Sequence, residues 1–161
     1  MVRRLANVKA AYEGMRRDDS LLCREASYEG CHVLKLQRPT WANGSARAGG
    51  GETGIFFAIW VNSESVRTNR VHYNIHALKL RNLRGFKLTS REFAAAFRAR
   101  FERFRRSWPN VSIEYGPQNL MQGWIEIDEE NFEADAVKLM MRFHRMAPII
   151  DRLLAERRHG I

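Results

Sequence analysis

Thr89-Ser90-Arg91-Glu92-Phe93-Ala94-Ala95-Ala96-Phe97-Arg98-Ala99-Arg100-Phe101-Glu102-Arg103-Phe104-Arg105-Arg106-Ser107-Trp108-Pro109 is the stretch whose reading decides the fold. Its large apolar residues, Phe93, Phe97, Phe101, Phe104 and Trp108, recur at steps of four, four, three and four. At about 100° per residue they fall in one narrow stripe, the pattern of a helix that buries one face. Thr89 with Glu92 in the third position after it predicts a capping box. Pro109 predicts the stop, after roughly five turns.

Upstream, Val2, Leu5, Val8, Tyr12 and Met15 repeat at helical spacing, with Arg3, Arg4, Lys9, Arg16 and Arg17 elsewhere on the wheel. Residues 21–37 alternate on either side of Glu29-Gly30, which predicts a β-hairpin with Leu34 and Leu36 on its buried side and His32 beside them. Residues 38–54 read as a flexible Gly-rich loop, because Pro39, Asn43, Gly44 and Gly49-Gly50-Gly51 oppose regular structure. Its length suggests mobility or use, and Trp41, between Arg38 and Arg47, is its one large apolar side chain. Ile55-Phe56-Phe57-Ala58-Ile59-Trp60-Val61 is apolar on both faces and predicts a central strand. A polar loop over 62–69 follows. In residues 70–80 a long strand sets Val71, Tyr73, Ile75 and Ala77 against His72, Asn74 and His76, and a short strand around 85–88 leads into the capped helix.

Downstream of Pro109, Val111, Ile113 and Tyr115 alternate with polar residues, and so does the run from Trp124 to Asp128. These read as two strands separated by Gly116-Pro117 and Gly123. Asp128 to Asn131 supplies acids for a helix start. Phe132, Ala136, Leu139, Met140, Phe143, Met146, Ile150, Leu153 and Leu154 then continue a helical stripe that Pro148 is expected to break or kink.

Hairpins outnumber helical crossovers, so the class is α+β, with a mostly antiparallel sheet and helices packed on one face. The order of elements resembles that of secretion-chaperone-like domains, which run helix, three strands, helix, two strands, helix. The likeness is one of topology, and the basic composition here departs from the acidic character of those chaperones. The 161 residues are expected to form a single domain, 1–161, large enough for a real core. Two cysteines, Cys23 and Cys31, in no C-x-x-C pair and with no leader-like segment, predict reduced thiols and a cytoplasmic location. The longest apolar runs are too short to cross a membrane, so no membrane partner is expected.

The net charge of +9 is unevenly spread. Residues 1–80 carry +5, 81–109 carry +7, 110–136 carry −7 and 137–161 carry +4. A basic helix is followed at once by a wholly acidic stretch. That suits nucleic acid, but equally internal neutralisation, or a homodimer in which one copy's basic face meets the other's acidic face.

Arg91, Arg98 and Arg105 recur every seven residues and would line one helix flank about 10.5 Å apart. Trp41, with Arg38 and Arg47, would add a stacking partner if the loop folds nearby. These six residues are the expected binding site, for nucleic acid or an acidic protein. Glu102 is spaced to pair with Arg98 and Arg105, and a charged flank is commonly just solvated.

The alternative is a metal-dependent hydrolase or phosphodiesterase on the polar sheet face, with Glu114, Glu126, Asp128, His72 and His76 as ligands and Asn74 between the histidines. On one strand, His72 and His76 stand about 13.6 Å apart, too far to share a metal without a bend. The plainer reading of all six is the solvated side of a sheet. Gly44 and Gly49 have the spacing of a phosphate-binding loop, but Gly50 and Gly51 stand where Lys and Ser/Thr are required. With no cofactor motif and no nucleophile arrangement, a binding or assembly domain that uses an Arg-lined helix, without a cofactor, is the expected function.

Overall fold

A computed structural model describes residues 2–16, 20–44, 52–126 and 128–159. Helix α1 (Val2–Met15) is followed by β1 (Leu22–Tyr28), β2 (Cys31–Gln37), β3 (Gly54–Val61), a short helix α2 (Ser63–Thr68) and β4 (Arg70–Leu78). Helix α3 (Ser90–Phe101), β5 (Asn119–Glu126) and α4 (Phe132–Ala155) complete the order. The strands lie in sequence order in one sheet, and every neighbouring pair is antiparallel. The predicted hairpin turns at Glu29 and Gly30, whose φ values of 46° and 80° give the two positive dihedrals that a tight two-residue turn needs.

One core holds these elements together. Ile55, Phe57, Ile59 and Val61 of β3 and Val71, Tyr73, Ile75 and Ala77 of β4 point the same way. They meet Leu5, Val8 and Tyr12 of α1, Phe93, Phe97 and Phe101 of α3, and the apolar stripe of α4 from Phe132 to Leu154. The α+β class, with the helices on one face of an antiparallel sheet, is therefore as the sequence predicts. No helix among the described residues is long and apolar enough to cross a membrane.

Several local predictions are corrected. Residues 63–68 are helical because Asn62 and Ser65 exchange side-chain and backbone hydrogen bonds in a complete capping box, which apolar periodicity cannot reveal. The central helix is α-helical only to Phe101 and tightens to a 3-10 helix over Glu102–Ser107. Thr89 caps it by accepting the Glu92 N–H at 3.1 Å. Residues 85–88 make one bridge, Phe86 to Arg158, instead of a strand.

Residues 111–115 likewise make one bridge, Ser112 to Gln122, instead of a strand, and the true strand begins at Asn119, ahead of the predicted Trp124. Pro148 neither breaks nor ends α4. Its ring is exposed, it removes a single backbone donor, and buried Met146, Ala147 and Ile150 anchor the turns around it. Four strands precede α3 and one follows it, so the chaperone-like order is not reproduced.

Gly123 shows how closely β4 and β5 fit. It stands opposite Tyr73 in the register, and a Cβ there would lie 2.3 Å from the Tyr73 hydroxyl, which donates to the Pro109 carbonyl. Gly123→Ala should therefore lower stability by about 1–3 kcal/mol, as overpacking of a fitted core does. Chemical denaturation checks this, and an unchanged midpoint would contradict the fit. Phe97 is fully buried, so Phe97→Ala should cost on the order of 3–5 kcal/mol in the same measurement.

Candidate functional site

The arginines of the central helix do not form one flank. Arg91 is exposed at the start of α3. Arg98 turns inward: Nε donates to the Leu120 carbonyl at 3.1 Å, and Nη2 faces the carbonyls of Tyr115, Gly116 and Asn119 at 2.9, 3.1 and 3.0 Å. It is a clamp that satisfies the irregular backbone ahead of β5, and burial lowers its pKa from the ordinary guanidinium value. Arg105 lies in the 3-10 segment, 3.6 Å from Glu102. The change of helix type after Phe101 ends the seven-residue repeat on which the predicted flank depended.

Arg105 instead joins Arg103 and Arg106 around an open depression of about 670 Å³, whose wall also includes Glu102, Trp108, Asn110 and Val111. Arg103 and Arg106 are exposed, and among the described residues neither has an acidic partner. The Glu102 pair on Arg105 is solvent-exposed and contributes about 0–1 kcal/mol, too little to withhold that arginine from a stronger anion. Arg103 and Arg106 lie off the seven-residue repeat of Arg91, Arg98 and Arg105, so that repeat does not mark them.

Trp41 offers no face to a ligand. It is fully buried against Phe57, its ring N–H donates to Asp151 Oδ1 at 2.8 Å, and Arg38 pairs with the same carboxylate at 3.1 Å. Arg38 also lies 5.8 Å from the Trp41 ring centre, so the two residues tie the start of the loop to α4. Arg47 lies outside the described residues.

The polar face of β4 is more structured than a solvated face. His72 stacks on Trp60 of β3, with ring centres 4.5 Å apart and 17° between planes. His76 lies 4.8 Å from Phe56 of the same strand. Asn74, between them, is 2% exposed and bonds His76 Nε2 at 2.9 Å. Lys35 lies over Phe56 at 4.3 Å, and Arg70 over Trp124 at 3.8 Å. Phe56, Ala58, Trp60, Asn74 and Trp124 all stay outside the main core. The sequence signal for this second layer is the alternation of Phe56, Ala58 and Trp60 within the apolar run 55–61.

The carboxylates do not join the histidines. Glu114 is exposed in the segment before β5, and Glu126 is exposed at that strand's end, opposite Arg70. Asp128 closes a turn, accepting from the Asn131 side chain at 2.9 Å and the Glu130 N–H at 3.0 Å. Those bonds, the Asn131 one foremost, hold its carboxyl below the ordinary value. Among the described residues no three His, Cys, Asp or Glu side chains are grouped to hold a metal ion.

Burial is the main cause that lowers the pKa of both His72 and His76. Arg70 lowers His72 further, while a backbone hydrogen bond at Gln118 partly opposes the shift at His76. Each ring therefore resists protonation when folded, whereas the unfolded chain takes up protons near the ordinary value of 6.5. The unfolded state binds more protons below that pH, so stability is complete above it and falls as pH drops through it. Denaturation midpoints measured from about pH 7.5 to about pH 5.5 should decline, and His76→Gln should flatten the decline. A wild-type profile without slope in that window would contradict the buried neutral rings.

The chain matches no protein-family model, no curated protein and no solved structure, so its functional reading stands on the geometry of the arginine depression and the aromatic sheet face.

Proposed function

We propose that this chain is a polyanion-binding module, engaging nucleic acid or an acidic protein through the arginines at the far end of the α3 helix. The observation that carries the reading is the depression with Arg103, Arg105 and Arg106 on its wall, two of them without an acidic partner among the described residues. Guanidinium groups present forked donors that match phosphate and carboxylate oxygens, which makes such a cluster a natural anion seat. The surrounding sequence supports it, since residues 81–109 carry +7. Arg98 serves the fold and has no part in the contact. No observation favours the metal-dependent hydrolase.

Binding of a labelled oligonucleotide, followed by fluorescence anisotropy from about 50 to 200 mM salt, tests the proposal. Affinity should fall steeply as salt rises. The triple variant Arg103→Ala/Arg105→Ala/Arg106→Ala should bind more weakly, with a salt slope shallower by up to about 2 units on a single strand. Sizing of the same variant separates the homodimer: a wild-type dimer that becomes a monomer assigns the arginines to the acidic surface of a second copy. Salt-insensitive binding, with an unchanged oligomeric state, would overturn the module altogether.

A further inference from the structure

The arginine depression reaches the sheet at its β5 edge. Asn110 lines the depression, and its side chain donates to the Trp124 carbonyl at 3.1 Å. Ser112, two residues on, bridges to Gln122 of β5. Across the sheet from that edge, Trp124, His72 and Trp60 stand in one cross-strand row, because His72 is the register partner of both tryptophans. Arg70 covers Trp124, and all three rings of the row are only half-buried. The next row holds Asn74 opposite Ala58 and Gln122. Asn74 keeps its Oδ1 unpaired although the residue is 2% exposed, and Asn119 of β5 also holds an unpaired buried Oδ1.

We infer that the polyanion is a single-stranded nucleic acid, whose phosphates sit at Arg103, Arg105 and Arg106 and whose bases pack on the Trp124, His72 and Trp60 row. The inference rests on the polyanion reading and makes it specific. An acidic peptide would satisfy the arginines but has no use for a row of aromatic rings. A nucleobase has a π-face for the rings, and its exocyclic amine is a donor suited to amide acceptors such as Asn74 Oδ1. A duplex keeps the faces of its bases inside the stack, so only an unpaired strand can offer its phosphates to the depression and its base faces to the rings. Arg70 over Trp124 adds a cation at the point where such a strand would cross the β5 edge.

Three labelled probes of matched charge test this on the full chain: single-stranded oligodeoxycytidylate, a duplex, and poly-L-glutamate. The single strand should bind most tightly and quench tryptophan fluorescence. Trp124→Ala should weaken it about 5- to 100-fold while leaving poly-glutamate unchanged. Trp124→Phe, which keeps a ring, should lose less. Should Trp124→Ala fail to fold, the quenching and the Phe variant still decide the matter. Salt-sensitive binding that ignores both Trp124 substitutions would overturn the inference and leave the polyanion module standing. So would poly-glutamate binding most tightly, which would make the partner an acidic protein. The absence of salt-sensitive binding to all three probes would remove the module, and the inference with it.

Discussion

Phe143 is where the fold is pinned. Its ring stacks on Phe57 of β3 at 4.7 Å, meets Tyr73 of β4 at 6.0 Å, and lies 5.0 Å from Trp108 after the 3-10 segment. One side chain of α4 therefore joins the two central strands to the end of the α3 unit. Aromatic pairs of this kind add about 0.5–1.5 kcal/mol each beyond the area they bury. Trp108 also meets Phe101 and Tyr73, so the cluster fixes how far the arginine-bearing 3-10 turn stands from the sheet. The depression has its shape because Trp108 is held from behind.

Packing all the large helices on one side leaves the sheet a second face to manage unaided. Strand alternation forces every other residue of β3, β4 and β5 onto it. The chain answers with cross-strand ring pairs and two cations laid over rings, so Ala58 and Asn74 are almost wholly buried with no helix of the core above them. That second layer lowers the histidine pKa values and strands an amide oxygen. Its chemistry differs from that of the core because its outer atoms remain within reach of solvent.

Arginine plays two opposed parts within fifteen residues of chain. Arg98 directs its donors to four backbone carbonyls, those of Tyr115 and Gly116 in the irregular segment and those of Asn119 and Leu120 at the start of β5. Arg103 and Arg106 are exposed and make no such contact. The difference follows from the face each occupies, since Arg98 is half-buried beside β5 and the other two point away from the core.

The sequence by itself determined the elements whose signal is local and periodic. The stripe from Phe93 to Phe101, the hairpin about Glu29-Gly30 and the long final helix follow from spacing and turn chemistry, because those forces act within a few residues. The capping box at Asn62 was equally local, but polar, and apolar periodicity passed over it. Tertiary structure alone decided what depends on distant partners. Trp41 is buried because Asp151 and Phe57 receive it, and Pro148 is carried because the turns around it are anchored in the core. The candidate site belongs to this second kind. His72 finds Trp60 and Trp124 only through the register of three strands, and Arg103, Arg105 and Arg106 share a depression with Trp108, Asn110 and Val111 where the helix has tightened after Phe101. Register and helix type are set by the whole core at once, and no window of sequence contains them.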